Sequence, residues 1–212
     1  MRTEFVEQCL AEVPFVAIMR GVLPDEVVPI GDALHQAGFK VMEVTLNSER
    51  PLESIRLLAE AFEGKMAVGA GTVTSPDEVE SVFEAGAGFV VSPSVHAGVI
   101  AETKRLGMYS LPGAMTPTEC FDAIHAGADG LKIFPASVLG PSGLSGVMAV
   151  IPKEVPVFAV GGVTTENLGE WFEAGAGGVG LGSNIYHKGD SAAQVLEKAS
   201  VMLAAYQKLK QG

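Results

Sequence analysis

The sequence predicts a single α/β domain, a closed (β/α)8 TIM barrel spanning residues 1–212 with a short N-terminal helix. Three observations predict it. The pair Ala-Gly closes a helix-like stretch at Ala37-Gly38, Ala85-Gly86, Ala126-Gly127 and Ala174-Gly175, and a short β-rich run follows each time. The pairs recur roughly every 40–50 residues, which is room for two strand–helix units of about 20–25 residues. Parallel sheets arise from such alternation, and eight units in about 200 residues favour closure into a barrel over the alternative, an open doubly wound sheet.

Taken in order, strands are expected at residues 15–20, 41–46, 66–73, 89–94, 109–113, 130–134, 157–161 and 178–182. Helices between them open on Leu23-Pro24-Asp25-Glu26, Ser75-Pro76-Asp77-Glu78, Thr116-Pro117-Thr118-Glu119 and Thr164-Thr165-Glu166-Asn167. Ser and Thr supply N-caps, proline is tolerated in the first turn, and acidic side chains there favour the helix dipole. The glycine of each Ala-Gly pair is the expected C-cap, because it adopts positive φ at no steric cost.

Composition sets the outer limits. With 48% hydrophobic and 18% charged residues the chain can bury one continuous core, and disorder is excluded. A net charge of −11, spread along the chain, makes nucleic acid and anionic membrane surfaces poor partners. An anionic substrate is still compatible, since backbone amides and one or two cations make a locally positive site. Cys9 and Cys120 show neither zinc nor CxxC spacing, and isolated thiols suit a reducing compartment. The start Met1-Arg2-Thr3-Glu4-Phe5 has no apolar leader segment, and no run nears the ~20 apolar residues of a membrane span, so a cytoplasmic protein is expected. His35, His96, His125 and His187 show no HxH or HxxxH spacing, so neither a metal nor another cofactor is expected. His35 and His125 are expected on solvent-facing helix ends.

Two charges fall where strand alternation points them inward. In Leu131-Lys132-Ile133-Phe134, Lys132 shares a face with Phe134, opposite Leu131 and Ile133. In Val41-Met42-Glu43-Val44-Thr45-Leu46, Glu43 and Thr45 oppose Met42, Val44 and Leu46. Barrel strands are normally apolar on both faces, so each charge needs a reason. One reason is a structural ion pair, or snorkelling to a barrel mouth. The other is catalysis: burial lowers a lysine pKa, and the neutral amine can attack a ketone while a neighbouring carboxyl shuttles protons.

Glycine-rich turns follow the seventh and eighth strands, at Gly161-Gly162-Val163-Thr164 and Gly180-Leu181-Gly182-Ser183. Barrels often build a phosphate site from these two loops, with amides and a hydroxyl as donors. Arg20, at the end of the first strand, can grip a carboxylate bidentately or be a solvated loop residue. Thr72 offers a hydroxyl at the third strand end, or simply packs.

Several motifs together resemble one family. Ile18-Met19-Arg20-Gly21, Glu43-Val44-Thr45-Leu46, Gly69-Ala70-Gly71-Thr72-Val73, Leu111-Pro112-Gly113, Thr116-Pro117-Thr118-Glu119 and Leu131-Lys132-Ile133-Phe134-Pro135 are similar to segments of the KDPG/KDPGal aldolases, in the family's order and over nearly the whole chain. The resemblance implies a class I aldolase. It would cleave the C3–C4 bond of a phosphorylated 2-keto-3-deoxy sugar acid to pyruvate and D-glyceraldehyde 3-phosphate. It further implies Lys132 as the Schiff-base lysine and Glu43 as the acid/base. Arg20 and Thr72 would bind the pyruvate half, with Pro93 bordering it, and Gly161, Gly162, Gly182 and Ser183 would cradle the phosphate. A homotrimer is implied as well.

Within the family, Asn47 stands where gluconate-type members usually carry arginine, and Ser92-Pro93-Ser94-Val95-His96 looks like a galactonate-type segment. Thr45 instead fits the gluconate-type pattern, and Ser142-Gly143-Leu144-Ser145-Gly146 departs from members that carry lysine there. The 6-phosphogalactonate epimer is therefore the expected substrate, with the gluconate epimer, or both, as the alternative. Asn47 has a second reading as the cap of a helix starting near Pro51. Other functions compatible with the barrel are a phosphosugar epimerase, a thiamine-phosphate-type synthase and a non-catalytic phosphate-binding barrel.

Overall fold

The computed structural model describes residues 2–211. Helix α1 (Arg2–Glu12) leads into strands β1 (Phe15–Met19), β2 (Val41–Thr45), β3 (Ala67–Gly71), β4 (Phe89–Val91), β5 (Tyr109–Leu111), β6 (Gly113–Ala114), β7 (Leu131–Ile133), β8 (Val157–Val160) and β9 (Gly178–Leu181). Between and after them run α2 (Pro24–Ala37), α3 (Pro51–Ala61), α4 (Pro76–Glu84), α5 (Ala97–Arg105), α6 (Pro117–His125), α7 (Ala136–Met148), α8 (Leu168–Glu173) and α9 (Ala192–Leu209).

All recorded strand pairs are parallel, in the order β5-β4-β3-β2-β1-β9-β8-β7-β6. The two ends of this order, β5 and β6, are one stretch of chain broken at Pro112. The barrel therefore has eight strand positions and is closed, and the open doubly wound alternative falls. The expected strand at residues 109–113 is corrected to two short pieces. Pro112 cannot donate to the ladder, so the strand turns there, and its carbonyl accepts from the Lys132 amide at 2.9 Å. β5 then pairs with β4 and β6 with β7.

The Ala-Gly pairs end helices as expected: Gly38, Gly86, Gly127 and Gly175 hold φ between 97 and 104°. Ser75 and Thr116 form capping boxes with Glu78 and Glu119. The fourth helix start is corrected. Asn167, not Thr164, is the N-cap of α8, because its Oδ1 accepts from the Thr164 amide at 2.8 Å and its Nδ2 donates to the Gly162 carbonyl at 2.9 Å. These bonds hold residues 164–167 as a turn. His35 and His125 are exposed, as expected.

Two apolar layers result from strand alternation. Outward-facing residues such as Met42, Val44, Leu131 and Ile133 pack under the helices. Inward-facing Val16, Phe89, Tyr109 and Phe158 fill the lumen, which α1 plugs at its N-terminal end with Val6 and Cys9. Packing of α9 on α2 closes the helical ring. The lumen's lower half is thus solid, and the only direction left for a cavity at its axis is toward the C-terminal strand ends. Among the described residues no helix is long and apolar enough to cross a membrane.

Candidate active site

A cavity of about 340 Å³ opens at those strand ends, lined by Ile18 and Arg20 from β1 and its turn, Glu43 from β2, Lys132 and Phe134 from β7 and its end, and the turns after β8 and β9. It gathers seven of the sequence-predicted site residues: Arg20, Glu43, Lys132, Gly161, Gly162, Gly182 and Ser183. Asn47, Thr72 and Pro93 lie outside its lining. Asn47 is exposed in the turn after β2, and the N-cap of α3 is Arg50, so Asn47 does not cap that helix. Thr72 is half-buried at φ 62°, a left-handed conformation that strains a β-branched residue at the end of β3. Pro93 turns its carbonyl toward Gly113, where a Cβ would come within 2.5 Å of the oxygen.

Lys132 is 7% exposed and Glu43 1%. The lysine Nζ sits 4.6 Å from the centroid of the Phe134 ring, a cation–π arrangement. Glu43 Oε2 is buried with no hydrogen-bond partner, so the carboxyl is not consumed by a structural network. Burial pushes the Glu43 carboxyl up to about 7, against the opposing pull of Lys132 and Arg20. Burial lowers the Lys132 ammonium, with Arg20 adding to the effect and Glu43 opposing it. Both groups are thereby shifted toward the neutral form, which a nucleophilic amine and a proton-donating acid require. Lys132 and Glu43 feel each other's charge, but among the described residues they make no ion pair within 4 Å.

The seat of Glu43 is a feature the strand pattern did not reveal. A Cβ on Gly71 would lie 2.3 Å from Glu43 Oε1, so no side chain fits there while the carboxyl keeps its place. Gly71 had been legible only as part of a glycine-rich strand end. Ser48 is a second such residue: its hydroxyl accepts from the Gly21 amide at 2.8 Å and lies 3.2 Å from Thr45 Oγ1. These bonds tie the loop bearing Arg20 to the strand bearing Glu43. The glycine turn after β8 holds positive φ at Gly161 and Gly162, and Ser137 at the start of α7 donates its amide to the Gly161 carbonyl at 3.0 Å. His187 and Lys188, beyond the second glycine turn, also line the cavity. Among the described residues no three His, Cys, Asp or Glu side chains gather to hold a metal ion.

A buried amine and a buried carboxyl shifted this way, in a pocket lined by two glycine turns, suit carbonyl chemistry on a small anion. A family model described as KDPG and KHG aldolase matches residues 6–199. The chain belongs to the KDPG and KHG aldolase family. It is an aldolase, a carbon–carbon lyase, which separates it from the epimerases, synthases and non-catalytic barrels compatible with the sequence pattern. This aldolase is 41% identical over 204 residues to the 2-dehydro-3-deoxy-6-phosphogalactonate aldolase of Escherichia coli K12, covering 96% of this chain and 100% of the relative. It is similar to a structure titled native KDPGal, with a TM-score of 0.93, 41% identity, and 95% and 98% of the two chains covered. A cube-shaped protein cage designed by fusing symmetric oligomeric domains also matches, with a TM-score of 0.91 and 41% identity over 93% of this aldolase and 73% of the cage chain.

Proposed function

We propose that this aldolase cleaves 2-dehydro-3-deoxy-6-phosphogalactonate to pyruvate and D-glyceraldehyde 3-phosphate through a Schiff base on Lys132. The observation that carries the reading is that Lys132 and Glu43, both buried, line one cavity, with Glu43 Oε2 left without a hydrogen-bond partner. The neutral Lys132 amine attacks the C2 ketone, and Glu43 passes protons as the carbinolamine loses water to give an iminium. The iminium draws electrons from the C3–C4 bond as the proton leaves the C4 hydroxyl, releasing the aldehyde and an enamine. Protonation at C3 and hydrolysis return pyruvate and the free amine. Arg20, in the cavity wall, holds the carboxylate, Thr72 and Pro93 are assigned beside it by the family resemblance alone, and Gly161, Gly162, Gly182 and Ser183 receive the phosphate. Borohydride reduction in the presence of pyruvate tests the chemistry: a pyruvate-derived adduct on Lys132 is expected, and an unlabelled lysine overturns it.

The iminium is the electron sink, so no metal is needed to stabilise the enamine. Full activity after dialysis against EDTA is the expected result. Loss of activity restored by a divalent ion would remove the class I assignment. A homotrimer belongs to the same reading, supported by the family resemblance and by the oligomeric domain within the designed cage.

The epimer preference is supported by the identity to the galactonate-acting relative and by Asn47. With the capping role removed, Asn47 stands free on the turn that follows the Glu43 strand. A carboxamide and a guanidinium differ in reach, charge and donor geometry, and a misplaced hydroxyl contact costs about 1–3 kcal/mol. Wild type is expected to prefer the galactonate epimer, and Asn47→Arg to shift the kcat/KM ratio toward the gluconate epimer by roughly ten-fold or more. A ratio unmoved by the substitution takes Asn47 out of substrate recognition.

A further inference from the structure

We infer that Lys188 is the side-chain cation that receives the substrate phosphate, making this aldolase select phosphorylated over unphosphorylated acids; the inference rests on the site reading given above. The chain carries 25 Asp and Glu against 14 Lys and Arg, yet its cavity is lined by Arg20, Lys132 and Lys188 against the single carboxyl of Glu43. Arg20 and Lys132 are occupied at the keto-acid end of the substrate. Lys188 is the remaining cation, and it shares the cavity with Gly161, Gly162, Gly182 and Ser183.

Its side chain is exposed, but its stem is placed by the turn after β1. The aliphatic stem lies across Gly21, where a Cβ would sit 3.5 Å from Lys188 Cδ and 3.6 Å from its Cβ. Stem packing of this kind directs the ammonium while leaving it hydrated enough to pair with an arriving dianion. The loop that presents it is pinned on both sides. Tyr186, which is buried, donates its hydroxyl to Glu26 Oε1 at 2.8 Å. Asp190 accepts from the His187 amide at 2.7 Å and pairs with Lys198 at 2.6 Å. Asp190 on this loop and Glu26 on α2 are thus already engaged, and among the described residues Lys188 enters no ion pair. An exposed, unpaired cation lining the same cavity as a glycine cradle fits a phosphate better than a carboxylate, because two charges on one group reward a point charge that backbone amides cannot supply.

The test compares the phosphorylated acid with its unphosphorylated counterpart on wild type, Lys188→Ala and Lys188→Arg. Lys188→Ala is expected to lower the preference for the phosphorylated acid by about ten-fold or more, through KM rather than kcat, and Lys188→Arg to restore most of it. An unchanged preference, or an equal loss on both acids, would overturn the assignment; the latter would make Lys188 a prop for the Arg20 loop. Inorganic phosphate binding, measured by calorimetry on the same proteins, needs no turnover. A wild type that binds phosphate, loses it in Lys188→Ala and cleaves neither acid would fault the substrate assignment while upholding Lys188.

Discussion

Lys132→Ala is expected to abolish turnover while leaving the barrel folded. The side chain stands on β7 with its amine under Phe134 and little solvent access, a place where only chemistry needs a nitrogen. Its removal takes away covalent catalysis, which is worth several kcal/mol of barrier, so activity should fall by far more than a hundred-fold. It also takes away a buried amine whose charging burial opposes, so no loss of thermal stability from a broken ion pair is anticipated. Lys132→Arg should be equally inactive, because guanidinium stays protonated and cannot attack a ketone. Retention of more than about a hundredth of wild-type activity in either variant would sink the Schiff-base assignment. Circular dichroism and melting temperature on the same samples separate this result from misfolding.

Glu43→Gln should lower kcat by ~10²–10⁴-fold and change KM far less. Glutamine preserves shape and hydrogen-bonding capacity but moves no protons. The substitution has a second, opposite signature in stability. The folded carboxyl titrates at about 7, above its ordinary value of 4.5, because burial disfavours the charge. Folding therefore favours the protonated form: the contribution is complete below about pH 4.5 and is lost as pH rises through about 7. Glutamine does not titrate. Glu43→Gln should thus gain stability relative to wild type between pH 5 and 8, approaching about 3 kcal/mol. Chemical denaturation at several pH values measures it. An unchanged kcat would make Glu43 a structural residue, and a stability difference flat with pH would show that its carboxyl is not held neutral.

Much of this site was legible from local pattern alone. Alternation on two short strands placed Glu43 and Lys132 on the lumen face, and neither needed a partner in sequence to be suspicious. The glycine turns were legible for a similar reason, since a run of glycines beside a strand end has few uses. Arg20 was expected as the last residue of the first strand, but β1 stops at Met19 and Arg20 sits in the turn at the cavity wall. Several expected strands overran their C-terminal ends in this way. β-propensity does not change sharply where a strand leaves its ladder, and those exits are where the functional side chains sit.

The sequence by itself determined the architecture, the inward direction of two charges and the family, because each rests on periodicity or on contiguous motifs of a few residues. Tertiary structure alone decided how the chain ends meet. Pro112 was visible, but only pairing of β5 with β4 and β6 with β7 makes it the barrel's closing break. Only the β2–β3 register, which sets Thr45 opposite Gly71, shows Gly71 yielding its side-chain space to Glu43. Lys188 and Arg20 are separated by most of the chain, and closure of β9 onto β1 brings their loops into one cavity. Local sequence rules reach across a few residues of one element. Which side chains share a cavity depends on strand register and ring closure, which sum contacts over the whole chain.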